Sequence, residues 1–186
     1  LGSMIEYKNQ DCHPDIVSFG KMLTGGYLTF AATLTTRKIS NSFLGKFSEG
    51  KHLFHGHTYT GNPIAASLSL ENIKLYEKTK LIQKIQKTSK VFENRVNEFY
   101  ELEQVGDVRQ KGMLMGVELI INNNSIKTKK SINKIVFDEG KKHNMFFRTL
   151  GNVVMLVPPL AISNKEINLL VDGALKTIKG ISKSLK

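Results

Sequence analysis

Near residue 78 the apolar residues of this chain change their spacing, and no other feature constrains its fold as much. Upstream they come in short runs. Residues 14–20, Pro-Asp-Ile-Val-Ser-Phe-Gly, read as a short buried strand that begins after Pro-Asp. Thr24-Gly25-Gly26 is a turn, and residues 27–36 are rich enough in β-formers for a second strand. Residues 37–52 are polar and predict a short helix and a loop. Asn62 suits an N-cap and Pro63 the first helical position. The helix that follows carries Ala65, Ala66, Leu68, Leu70, Ile73 and Tyr76 on most of its sides, which predicts burial.

Downstream the period becomes helical. Leu81, Ile85, Phe92, Val96 and Phe99 recur on a Lys/Glu-rich background, the pattern of an amphipathic surface helix. Residues 113–121 predict a strand and 131–142 a short helix. Residues 145–148 and 153–157 predict two more strands, the second stopped by Pro158-Pro159. Ser163 and Glu166 have capping-box spacing. The last helix places Ile167, Leu170, Val171, Ala174, Ile178 and Ile181 on one face. The order predicts an α/β chain in two parts, 1–77 and a compact α+β domain over 78–186.

The net charge of +11 raises the question of nucleic acid. Of 27 basic residues only four are arginines: Arg37, Arg95, Arg109 and Arg148. The densest lysine cluster, Lys127, Lys129, Lys130 and Lys134, adjoins Asn122-Asn123-Asn124-Ser125 and has no interleaved aromatics on which bases could stack. A solvated surface is the better reading, with no nucleic-acid partner. The single cysteine, Cys12, cannot form an internal disulfide, and the cytoplasm is the default location. No apolar run is long enough to predict a membrane span, and the N-terminus has no leader pattern.

Three places could carry chemistry. Lys21 stands between Gly20 and the glycine turn, at the end of the first strand. A lysine becomes nucleophilic only when burial or nearby positive charge lowers its pKa. A strand-end position allows that, and equally allows an ordinary exposed lysine. The stretch His55-Gly56-His57-Thr58 leads into a helix N-terminus. Its N–H groups and the Thr58 hydroxyl could hold a phosphate, or the loop could simply be capped. His52, His55 and His57 also cluster, but no cysteine or carboxylate joins them, so no metal is expected. Arg148 follows three apolar residues and, if nearly buried, needs an anion. Glu118, in an apolar strand, and a substrate carboxylate held bidentately are the two candidates.

Taken together, five blocks resemble the class III pyridoxal-phosphate-dependent aminotransferases of fold type I. They are Pro14-Asp15-Ile16-Val17 through Gly20-Lys21 to Gly25-Gly26, Ala31-Ala32-Thr33-Leu34-Thr35-Thr36, Phe54-His55-Gly56-His57-Thr58-Tyr59-Thr60-Gly61-Asn62-Pro63, Val105-Gly106-Asp107-Val108-Arg109, and Phe147-Arg148 leading to Pro158-Pro159-Leu160. The resemblance implies the C-terminal half of such an enzyme: the end of the large cofactor domain plus the small α+β domain. It implies pyridoxal 5'-phosphate as cofactor and Lys21 as the catalytic lysine that carries it. His57, through its backbone, and Thr58 would hold the cofactor phosphate of a neighbouring subunit, which implies a homodimer. Gly56 would line the substrate pocket, and Arg148 would bind the substrate carboxylate.

The second and third blocks resemble most the branch acting in biotin synthesis, where the amino acceptor is 8-amino-7-oxononanoate. The donor stays open between S-adenosylmethionine and lysine. An ω-amino acid:pyruvate enzyme and a non-catalytic remnant are the alternatives. Leu1-Gly2-Ser3-Met4 resembles the continuation of a Gly-Phe-Gly-Arg stretch in the family. The chain is therefore expected to be a truncation, lacking the family's pyridine-pairing aspartate and inactive alone.

Overall fold

The computed structural model describes residues 1–121, 124–125 and 131–185. The chain divides into two compact units, Ile5–Lys80, and Leu81–Lys186 together with Leu1–Met4.

In Ile5–Lys80, strands β1 (Ile16–Phe19) and β2 (Ala32–Thr35) pair antiparallel, from Ile16 opposite Thr35 to Phe19 opposite Ala32. A 3-10 turn, Lys21–Thr24, follows β1 and ends at Gly25, whose φ of 62° is left-handed. Both strands are shorter than predicted and are not buried; Ile16 and Leu34 stay 57% and 52% exposed. A two-stranded ribbon has no second layer to cover its faces, so apolar content alone does not bury it.

Helix α1 (Arg37–Ser42) and a 3-10 turn at Phe47–Glu49 occupy the polar stretch. Helix α2 (Pro63–Lys78) starts as its sequence dictates, with the Asn62 side chain accepting from the N–H groups of Ile64 and Ala65. The predicted burial of α2 does not hold. Only Ala65 and Ser69 are buried, while Ile64, Leu70 and Leu75 are 69%, 60% and 53% exposed. Its apolar residues surround the helix, but the rest of the unit covers one side only.

The second unit has a complete core. Helices α3 (Leu81–Glu93) and α4 (Val96–Tyr100) replace the single predicted helix. The break falls at Asn94-Arg95, where Arg95 turns its guanidinium onto Glu98 and Asp172. Strands β3 (Val105–Lys111), β4 (Leu114–Ile121), β6 (Arg148–Leu150) and β7 (Val153–Leu156) form an antiparallel sheet in the order β3-β4-β7-β6, with β5 (Asn124–Ser125) paired to β4. Val117 sits opposite both Val108 and Val154. Period-2 alternation turns Met115, Val117 and Leu119 inward. They meet Ile85, Phe92, Phe99, Val136 of α5 (Ile132–Lys141), and the Ile167, Val171, Ala174, Ile178, Ile181 stripe of α6 (Asn164–Leu185).

The Ser163–Glu166 capping box forms, with Ser163 N–H donating to Glu166 at 2.8 Å and Glu166 N–H to Ser163 Oγ at 3.2 Å. Gly112 turns the β3–β4 hairpin at φ 58°, where an added Cβ would lie 2.4 Å from the Leu1 carbonyl oxygen. Lys127, Lys129, Lys130 and the pair Asn122-Asn123 lie outside the described residues; Lys134 pairs with Asp138 at 3.0 Å. No helix among the described residues is long and apolar enough to cross a membrane.

Candidate functional site

Lys21 follows β1 and Gly20 and adopts φ 50°. A non-glycine residue pays roughly 1–3 kcal/mol for a left-handed backbone and keeps it only where the surroundings enforce it. The enforcement is visible. Leu23 N–H donates to Gly20 O at 3.2 Å and Gly25 N–H to Met22 O at 3.2 Å. Thr24, 1% exposed, donates its hydroxyl to Leu28 O at 2.6 Å. Lys21 itself is exposed, not desolvated as a buried strand end would require, because β1 is itself half open. Among the described residues it has no ion-pair partner.

The His57–Asn62 loop is held by its own hydrogen bonds. His57 N–H donates to Thr60 Oγ1 at 2.9 Å, and Thr60 N–H returns to His57 O at 2.9 Å. Tyr59 N–H donates to His57 Nδ1 at 3.1 Å, so the neutral ring carries its proton on Nε2. Asn62 N–H closes on Tyr59 O at 3.2 Å. The His57 N–H is therefore engaged within the loop. The Thr58 N–H and hydroxyl have no partner among the described residues.

Lys21 and His57 line one cavity of about 690 Å³, with Gly20, Phe30, Ala31, Thr60 and Asn62 among its walls. Gly56 and Thr58 belong to the bordering loop but are not in the lining. Phe30 and Thr60 are lining residues that sequence reasoning does not single out. The Thr-x-Thr spacing around Tyr59 is the available sign, since a hydroxyl three residues after His57 can reach back to its N–H. His52 does not join a metal set. Its ring stacks on Phe47 at 5.0 Å and meets Phe54 edge-on at 4.5 Å. Among the described residues no group of three His, Cys, Asp or Glu could hold a metal.

Arg148 belongs to the other unit. It opens β6 opposite Met155 and is exposed, against the expectation of near burial. Alternation explains this: Phe147, 4% exposed, takes the inward position, and Phe146 and Arg148 on either side point out. Glu118 is not its partner. Glu118 accepts from Arg109 Nη1 at 3.0 Å, and the same nitrogen bonds Asp107 at 2.7 Å. Arg148 thus has no ion pair among the described residues. It lines a cavity of about 560 Å³ whose other walls, including Phe146, Phe147, Met155, Leu156 and Pro158, are apolar. One guanidinium in an apolar cleft suits a ligand with a single carboxylate and a long apolar body.

Residues 2–178 match the family model described as "Aminotransferase class-III". The adenosylmethionine-8-amino-7-oxononanoate aminotransferase of Aquifex aeolicus is 38% identical over 188 residues, covering 99% of this chain and 41% of the relative. The protein of that name from Staphylococcus aureus is 42% identical over 182 residues, covering 97% and 40%. The crystal structure of the adenosylmethionine-8-amino-7-oxononanoate aminotransferase of Methanocaldococcus jannaschii matches with a TM-score of 0.89 at 41% identity, covering 96% of this chain and 42% of that one. The chain spans about two fifths of the length of the curated relatives it matches. With a family match over most of its length, this chain belongs to the class III aminotransferases and has their pyridoxal-phosphate-dependent transferase fold.

Proposed function

We propose that this chain serves an aminotransferase of biotin synthesis, one that moves an amino group from S-adenosylmethionine or lysine to 8-amino-7-oxononanoate. The observation that carries the reading is Lys21, held in an enforced left-handed conformation at the wall of a cavity of about 690 Å³. The names of the relatives at 38% and 42% identity support this acceptor.

The residues fit pyridoxal 5'-phosphate. A lysine with no ion pair among the described residues lines the cavity beside Phe30, and the Thr58 N–H and hydroxyl, without a partner among the described residues, are left for the phosphate of a neighbouring subunit's cofactor. When bound, the cofactor supplies an electron sink for the carbon that gains or loses the amino group. Lys21 Nζ would anchor the cofactor and would move the proton at that carbon. Thr58 would donate to the phosphate of the neighbouring subunit's cofactor, in a loop whose backbone the His57–Thr60 bonds hold. Because the family shares this loop between subunits, we read the active form as a homodimer. The resemblance gives Gly56 to the substrate pocket, although it does not line the Lys21 cavity. Arg148 grips the acceptor carboxylate.

Among the described residues lining the Lys21 cavity there is no carboxylate to pair with the pyridine nitrogen. The chain spans about two fifths of the length of its curated relatives, so the activity is assigned to a full-length protein. The test supplies that protein with pyridoxal phosphate, each donor in turn, and either 8-amino-7-oxononanoate or pyruvate. Diamine product from the oxononanoate is expected. Turnover with pyruvate alone would assign the chain to the ω-amino acid branch instead, and turnover with neither acceptor would refute the reading.

A further inference from the structure

We propose that Asn72 is a positioning residue for Lys21, clamping the turn that sets the lysine's direction; the proposal rests on the reading of Lys21 as the cofactor lysine. Asn72 lies on α2, about fifty positions downstream of Lys21, and its carboxamide nitrogen donates to Met22 O at 2.7 Å and to Leu23 O at 3.2 Å. Only one orientation of the amide gives both carbonyls a donor. One turn further along the same helix face, Tyr76 OH donates to Met22 O at 3.3 Å. Gly25 fits the same corner. A Cβ there would meet Asn72 Oδ1 at 3.2 Å, and the glycine φ of 62° closes the turn.

The clamp answers a physical need. A lysine at φ 50° relaxes toward ordinary backbone angles unless its neighbours are held. The two carbonyls directly after Lys21 are the ones Asn72 holds. Releasing them frees the peptide planes that set the Cα–Cβ vector of Lys21. Asn72 is half-buried and does not line the Lys21 cavity, so it acts through the turn and not by touching a ligand.

The experiment uses the full-length protein with the substitutions Asn72→Asp, Tyr76→Phe and Lys21→Ala. Aspartate keeps the shape of asparagine but cannot donate when ionised. Three quantities are read: the rate of borohydride-trapped pyridoxal-phosphate attachment with the labelled lysine mapped, the pH midpoint of the bound cofactor's absorbance, and the melting temperature of the cofactor-free protein. Asn72→Asp is expected to slow attachment at Lys21 by about tenfold, as the loss of two neutral hydrogen bonds implies. The absorbance midpoint should move, and the melting temperature should fall by only a few degrees, leaving the protein folded under the assay. Tyr76→Phe should show the same changes, smaller. An Asn72→Asp protein with unaltered attachment rate and midpoint overturns the proposal. So does one in which both follow only the fraction unfolded. Label on another lysine in the unsubstituted protein, or persisting label in Lys21→Ala, instead removes the Lys21 reading, and the clamp's purpose with it.

Discussion

Replacing Arg148 by lysine separates two roles that its neighbourhood in the sequence leaves open. Had Arg148 neutralised Glu118, the substitution would leave a partly buried acid without its partner and lower stability. In the structure Glu118 is held by Arg109 at 3.0 Å, and Arg148 is exposed with no ion pair among the described residues. The fold should therefore lose no more than about 0.5 kcal/mol, the usual range for a surface change. The acceptor should feel more. A guanidinium grips a carboxylate with two parallel bonds; lysine keeps the charge and loses the fork. Losing one charge-assisted bond of about 1.5 kcal/mol is roughly tenfold in affinity. The expectation for a full-length enzyme is a roughly tenfold higher KM for 8-amino-7-oxononanoate, with kcat and cofactor absorbance little changed, the mark of lost uniform binding. Steady-state kinetics beside a thermal melt provide the assay. An unchanged KM with a melting temperature lowered by several degrees would refute the reasoning, because it would show Arg148 working for the fold.

Other outcomes follow from the same geometry. Lys21→Ala should remove borohydride-stable cofactor attachment and bring turnover to background. Thr58→Ala should raise the cofactor dissociation constant by an amount equivalent to about 1.5–3 kcal/mol, measured by equilibrium dialysis, while slowing turnover of the saturated enzyme little. In the second unit, Arg95 bonds Glu98 at 2.6 Å and Asp172 at 2.7 Å, and its hydrogen bonds hold the Glu98 carboxyl below its ordinary pKa, which desolvation opposes. A carboxyl whose folded pKa is depressed stabilises above its unfolded value, near 4.3, and that stabilisation is lost as pH falls through the folded value. Arg95→Met should cost about 1–2 kcal/mol near neutral pH and shrink the loss of stability as pH falls below the ordinary glutamate range; urea midpoints measured from neutral into acid pH check both.

Local chemistry is legible in the residues themselves. Asn62-Pro63 starts α2, and Ser163 with Glu166 starts α6, because a cap needs only partners within four residues. The Ile167 to Ile181 stripe of α6 is buried as its period demands. The five family blocks are legible for the same reason, since each is read from residue types close together in the sequence. Where the local pattern is broken, legibility ends. Strand β3 escapes a periodicity argument because its ladder skips between Val105 and Asp107; the bulge puts buried Val105 and Val108 three apart and hides the period of two.

Tertiary structure alone decides the rest. Leu81 to Phe99 keep one helical period, but the chain breaks at Asn94-Arg95, where Arg95 reaches Asp172 on α6. Glu118 takes Arg109 because the β3–β4 register sets Glu118 opposite Asp107, two residues from Arg109. The all-round apolar pattern of α2 records what could be covered; what does cover it within Ile5–Lys80 is one side. The left-handed backbone of Lys21 is held in part by Asn72, about fifty residues away. Each of these depends on which distant groups reach the same place. A cap or a stripe is written within a few residues, whereas a partner is chosen by packing, where distance along the chain carries no information.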